Sequence, residues 1–333
     1  MSSDLEIYKQ NRINNLNRIY VENVNKLYST LTNNIRIVSS SFFRNKQTRI
    51  NSLISKYNYE VASLGRYLKI ELDKVKAFNP PGIKAITKTK KALLIGINYI
   101  DTPYSLSGCI EDTERMKALL TKHGFTQFTT LTDNTAIKPT KENIMNEFKR
   151  ILISSRAGDM VFFYFSGHGS YTDDMNNEET DGKDEVIISS DLRGIIDDEL
   201  KKILTMYLKK NVILVGMFDS CHSGTMLDLK YNYLDSTNYD NYTENSKITV
   251  DCPGTVLMIS GCMDNETSTE AYINNKTQGA MSWAFIETLN NGPNTSWREL
   301  IKSMRTLLTT NGFSQIPQLS TGIFYNIDTK VFL

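Results

Sequence analysis

Apolar residues recur at Ile13, Leu16, Tyr20, Val24, Leu27, Leu31, Ile35, Val38 and Phe42, in steps of three and four. That is the period of one face of an α-helix. The pattern resumes at Ile50, Leu53, Tyr57, Val61, Leu64, Leu68, Leu72 and Val75, and residues 5–76 hold no proline and one glycine, Gly65. Two amphipathic helices, broken near Asn45–Thr48, follow from this. A breaker, Asn79-Pro80-Pro81-Gly82, closes the helical region. Beyond it the pattern changes. Short continuous apolar runs at 92–99, 160–165, 212–218 and 256–260 alternate with helical stretches at 111–123, 141–155, 197–210, 281–290 and 296–310. Continuous apolar runs suit strands buried on both faces, and intervening helices make such strands parallel. The expected fold is α/β, a mostly parallel sheet flanked by helices, preceded by an N-terminal helical region. The expected division is a helical segment at 1–78, a linker at 79–90 and an α/β domain at 91–333, interrupted by an Asn/Tyr/Ser-rich loop at 229–250.

Composition changes this picture little. With 333 residues, 40% hydrophobic and 23% charged, the chain is ordinary for a globular protein. No apolar stretch approaches membrane-spanning length, the first residues do not read as a signal peptide, and the four cysteines show no CxxC spacing. A reduced, cytoplasmic protein with neither membrane nor nucleic acid as partner is the expectation. Charge is uneven. Residues 1–90 carry 16 Lys or Arg against 6 Asp or Glu, a net of +10, so the remainder carries −9 of the whole chain's +1. The N-terminal helices could pair as a hairpin, self-associate or lie on the rest of the chain.

The chemistry sits where two apolar runs end. Ser166-Gly167-His168-Gly169-Ser170 follows one, and Asp219-Ser220-Cys221-His222-Ser223-Gly224 follows another. Open α/β sheets carry function at the carboxyl ends of their strands. A thiolate is the attacking form of cysteine, and a neighbouring histidine can take the thiol proton and later protonate the leaving amine. Backbone N–H groups of Gly169 and Cys221, at strand ends, are candidate oxyanion donors. The histidine precedes the cysteine by 53 residues, near the roughly 50 of caspase-type proteases.

These segments resemble those of the metacaspases, the caspase-like cysteine peptidases of plants, fungi and protists. So do Gly108-Cys109-Ile110-Glu111-Asp112, Asp181-Gly182-Lys183-Asp184-Glu185, 259–268 and 279–285, which occur in the family's order. The resemblance implies a caspase-like fold, with a large-subunit-like part to about residue 230 and a small-subunit-like part at 251–333. It departs from the family in its helical N-terminal segment, so no role for that segment carries over. Asp112 and Asp219 are acidic residues near one sheet edge, which favours a cationic substrate side chain and disfavours an acidic one. The resemblance implies cleavage of polypeptides after Arg or Lys, with Cys109 and Ser166 beside the two aspartates. It also implies calcium as cofactor, held by Asp184, Asp197, Asp198 and Asp228, and a self-processing zymogen. His222 and Cys262 are assigned structural roles and His123 the surface. The alternative function is a catalytically silent scaffold acting through the N-terminal helices.

Overall fold

The computed structural model describes residues 2–41, 45–77, 89–173, 183–220, 226–233, 242–245, 252–261, 270–273, 276–292, 295–323, 325–331 and 333. The chain divides into two compact units, Met1–Lys84 and Ala85–Leu333. In the first, α1 (Ser2–Ser40) and α2 (Lys46–Ala77) form an antiparallel hairpin. Lys9 Nζ donates to the carbonyl of Lys76, and the rings of Tyr28 and Tyr57 meet edge-on. The two apolar stripes read from the sequence form the seam. It is a thin one: among the described residues of the hairpin only Val75 is fully buried.

The second unit is built on an eight-stranded sheet. Its elements run β1 (Lys90–Gly96), α3 (Cys109–Lys122), β2 (Gln127–Thr132), α4 (Lys141–Ser154), β3 (Met160–Ser166), β4 (Gly169–Asp173), β5 (Lys183–Ile188), β6 (Gly194–Ile196), α5 (Asp197–Tyr207), β7 (Ile213–Asp219), β8 (Tyr231–Tyr233), β9 (Tyr242–Glu244), β10 (Thr255–Ser260), β11 (Glu270–Ile273), β12 (Lys276–Gly279), α6 (Ala280–Asn291), α7 (Trp297–Thr310) and β13 (Gln318–Thr321). The sheet order is β2-β1-β3-β7-β10-β13-β8-β9. The first five strands are parallel, and β13, β8 and β9 join antiparallel.

The continuous apolar runs explain the layering. Successive strand residues face opposite sides. Ala92, Leu94, Phe162, Tyr164 and Val215 pack with Met116, Phe285, Trp297 and Met304 from α3, α6 and α7. Leu93, Ile95, Phe163, Phe165 and Leu214 pack with Phe148, Leu200 and Leu204 from α4 and α5. Two helix starts are written in side chains. Thr140 accepts the Asn143 N–H ahead of α4, and Ser296 with Glu299 forms a capping box on α7. A side chain at Gly96 would overlap the Cys109 carbonyl and the Thr113 hydroxyl. The start of α3 therefore lies directly against the end of β1.

Three readings change. The stretch 229–250 is not only loop: Tyr231–Tyr233 and Tyr242–Glu244 extend the sheet, and the rings of Tyr231, Tyr233 and Tyr242 pack together across the pair. Tyr231, Tyr233 and Tyr242, read as part of a loop, are strand residues. Gly169 belongs to a small separate sheet, β4-β5-β6. His123 is half-buried, with Nδ1 3.1 Å from the Leu333 carbonyl.

Candidate active site

Parallel pairing sets the register at the carboxyl edge, where Gly96 lies beside Ser166 and Ser166 beside Asp219. His168 follows β3 by two residues. Its backbone N–H donates to the Tyr99 hydroxyl at 2.8 Å, and that hydroxyl donates to the Ile188 carbonyl at 2.7 Å. The Tyr99 and His168 rings lie 4.7 Å apart, and burial pushes the Tyr99 hydroxyl well above its ordinary pKa. A side chain at Gly167 would press on the Tyr99 hydroxyl, so glycine suits this close approach.

The imidazole itself is oriented by a loop. His168 Nε2 lies 2.7 Å from the Tyr104 carbonyl. A carbonyl only accepts, so Nε2 carries the proton and Nδ1 is the acceptor. That loop is pinned at its root by Asp133, which accepts the N–H groups of Asn98 at 2.7 Å and Ile100 at 3.4 Å. Tyr99 and Asp101 are held at positive φ, 49° and 63°. Tyr99, Tyr104 and Asp133 were not singled out from the sequence. The tyrosine at the end of the first apolar run was the available signal.

Gly169 pairs with Ile187, and the Ile188 N–H donates to the His168 carbonyl. Gly169 is then in a non-hydrogen-bonded pair, its N–H pointing away from β5. Cys221, with His222 and Ser223, lies outside the described residues, as do Asp181 and Cys262. β7 carries the chain to Asp219 and the buried Ser220, and the Gly167 N–H meets the Asp219 carbonyl at 3.4 Å.

The four expected pocket residues gather at this edge. Asp112 and Asp219 are 1% and 3% exposed, and Cys109 and Ser166 are buried too. Gly279 and Ser282, from the junction of β12 and α6, bring the two carboxylates together. The Gly279 N–H donates to Asp112 at 2.6 Å, and the Ser282 N–H and hydroxyl donate to Asp219 at 2.9 and 2.7 Å. The Tyr164 hydroxyl joins Ser282 at 2.6 Å and also bonds Ser166. Arg115 Nη2 donates to Asp112 at 2.7 Å, and Arg115 Nη1 donates to Gln278. Burial, with the Asp219 charge adding to it, pushes the Asp112 carboxyl up to about 8. Arg115, Gln278 and Tyr164 were not singled out, and Gly279 and Ser282 were read only as part of the 279–285 segment, since the contacts that join α6 and β12 to the aspartates span 63 to 167 residues.

Of the four expected metal ligands, three converge. Carboxylate oxygens of Asp197, Asp198 and Asp228 lie within 4.8 Å of one another. Asp184 is buried on β5 and is not in that group. Asp197 accepts the N–H groups of Glu185 and Asp198, both at 2.7 Å, while Lys201 Nζ donates to the Asp228 carbonyl. Burial and then the Asp228 charge push the Asp197 carboxyl up. An all-oxygen carboxylate set under mutual repulsion fits a hard divalent cation.

The chain is similar in sequence to fungal proteins. Metacaspase-1 of Ajellomyces capsulatus is 36% identical over 293 residues, covering 73% of this chain and 82% of the relative. The chain belongs to the metacaspase family. Metacaspase-1 of Meyerozyma guilliermondii is 34% identical, covering 70% of this chain and 69% of that one. The family model described as "Metacaspase, peptidase C14 domain" matches residues 90–230. As a metacaspase, the chain is a cysteine-peptidase-class hydrolase. Among solved structures it is similar to a Geobacter sulfurreducens protein, with TM-score 0.55 and 24% identity, covering 73% of this chain and 98% of that one. It is also similar to caspase-1 of Spodoptera frugiperda, with TM-score 0.51 and 13% identity, covering 73% and 92%. These two likenesses bear on the fold, which is caspase-like. Among the described residues, no helix is long and apolar enough to cross a membrane.

Proposed function

We propose that the chain is a calcium-activated cysteine endopeptidase that cuts after Arg or Lys and is made as a self-processing zymogen. The observation that carries the reading is the buried Asp112–Asp219 pair: Asp219 ends β7 two residues before Cys221 and beside β3, which leads to His168, while Asp112 lies in the first turn of α3. Cys221 attacks the scissile carbonyl as thiolate. His168 Nδ1 takes the thiol proton and returns it to the leaving amine, and water then releases the acyl group. The outward N–H of Gly169, with that of Cys221, would receive the developing oxyanion. Two buried carboxylates reject an acidic side chain and leave an apolar one facing desolvated charge, whereas a guanidinium or ammonium satisfies them.

Asp197, Asp198 and Asp228 would hold the calcium ion, which supplies charge that relieves their repulsion. Their own part is to fix the start of α5 against the turn at Asp228. Lys84–Lys91 and Lys230–Lys247 offer basic targets for self-cleavage in the sequence. The hairpin exposes Ile19, Ile37, Tyr59, Tyr67 and Ile70, which supports self-association through the N-terminal helices in a cytoplasmic setting.

The test is hydrolysis of peptides ending in Arg, Lys, Leu or Asp, with calcium or with chelator. Turnover of the Arg and Lys peptides, needing calcium and lost in Cys221→Ala and His168→Ala, supports the proposal. Preference for Leu or Asp, or full activity in chelator, sinks the corresponding part.

A further inference from the structure

The specificity carboxylates are closed. Asp112 and Asp219 are almost wholly buried, and the groups that cover them come from the chain itself. Gly279 and Ser282 supply neutral donors. A further partner is a cation. Arg115, one turn along α3 from Asp112, ion-pairs with it at 2.7 Å and reaches across to Gln278 on β12. Gln278, Gly279, Ser282 and Tyr164 are buried, but the Arg115 side chain keeps 27% of its surface exposed. It is the member of the group that faces solvent. Its Nε is nevertheless buried without a hydrogen-bond partner among the described residues. A fully seated guanidinium satisfies its fork of donors, and this one does not. One of the two carboxylates, Asp112, thus holds an incompletely bonded guanidinium, beside a site proposed to receive a guanidinium from outside.

We infer that Arg115 is the pocket's built-in occupant. It holds Asp112 in place of a substrate's basic side chain, and substrate enters by taking that carboxylate over. The inference rests on the Arg/Lys reading and adds the residue that sets how tightly such substrates bind. An incoming arginine reproduces the displaced fork, while a lysine returns only a point charge. Apparent affinity falls by the fraction of molecules whose pocket is open. A pocket about 90% occupied by Arg115 would weaken binding roughly tenfold.

Agmatine, a small guanidinium compound, is the probe. Its affinity is measured by calorimetry on the full chain carrying Cys221→Ala, in calcium, with and without Arg115→Gln. Arg115→Gln should bind agmatine about tenfold more tightly, the expected open fraction being one in ten. In the active chain the same change should lower KM for Arg peptides by a similar factor and leave kcat within about twofold. Arg115→Lys, which keeps a cation, should stay near the parent. Equal or weaker agmatine binding by an Arg115→Gln chain with the parent's melting temperature overturns the inference. Should Arg115→Gln fail to fold, Gln278→Ala loosens the same seat without changing charge. It should tighten agmatine binding to a smaller degree, and weaker binding overturns the inference. A parent that prefers basic peptides while Arg115→Gln gains nothing removes this inference alone. A parent indifferent to basic side chains removes the specificity reading and this inference with it.

Discussion

The second unit holds two carboxylate clusters, buried but for the half-buried Asp198, and they are finished differently. At Asp112 and Asp219 the partners include backbone N–H groups, a serine hydroxyl and a guanidinium. At Asp197, Asp198 and Asp228 three carboxylates converge within 4.8 Å, and the nearby lysine, Lys201, donates to a main-chain carbonyl. Both clusters push one of their carboxyls upward, and burial is the larger cause in each. The same electrostatic problem therefore has two solutions. One cluster carries its own cation, and the other concentrates oxygen ligands where a metal ion can sit.

The sharpest way to break this contrast is to change one cluster and assay both properties. Asp219→Asn should lower kcat/KM on Arg peptides by about 100-fold or more, the consequence of removing one partner of a buried charge pair. Calcium binding by the same chain, followed by calorimetry, should be intact. Asp228→Asn should do the reverse, raising the half-activating calcium concentration about tenfold or more while the Arg-over-Leu preference stays. Loss of both properties from either substitution would mean that the clusters are one site.

The pH dependence follows from Asp112. Its folded pKa lies near 8, above the ordinary 3.8. The folded chain thus binds a proton that the unfolded chain releases, and the stability from this group is lost as pH rises from about 4 through about 8. Ionisation over the upper part of that range should strengthen cation binding. KM for Arg peptides should fall on the order of tenfold from about pH 6.5 to about pH 8, and Asp112→Asn should flatten both trends. The smallest effect is expected outside both clusters. Tyr99→Phe removes the hydroxyl that braces His168, costing about 1 kcal/mol and so roughly fivefold in kcat. Peptide preference and calcium response should not move.

Much of the scaffold was legible because its strands are buried on both faces. Met160–Ser166 and Ile213–Asp219 are continuous apolar runs, and their ends carry the candidate chemistry. β13, Gln318–Thr321, was missed because it is buried yet written mostly in polar residues. β4, with Gly169, was missed because its residues are largely exposed and follow no apolar pattern. Asp112 could be nominated from its motif, and Arg115, three residues on, was within reach of helical spacing. Gly279 was not, because it meets Asp112 only through folding across 167 residues. The convergence of Asp197, Asp198 and Asp228 likewise depends on how the start of α5 meets the turn after β7, and Asp184 is not among the three that converge.

The strand order has a consequence for a nicked molecule. β10 and β13 lie between β7 on one side and β8 on the other. Hydrolysis at Lys247, between β9 and β10, would leave β7, β8 and β9 on the leading fragment and β10 and β13 on the trailing one. The trailing fragment's two strands are then clasped on both flanks by its former neighbours, with the Lys230–Glu244 ion pair at 3.4 Å linking the two ends of the outer hairpin. Two bands on a denaturing gel would remain one particle in solution, and the covalent cut would be silent to any measurement of native size.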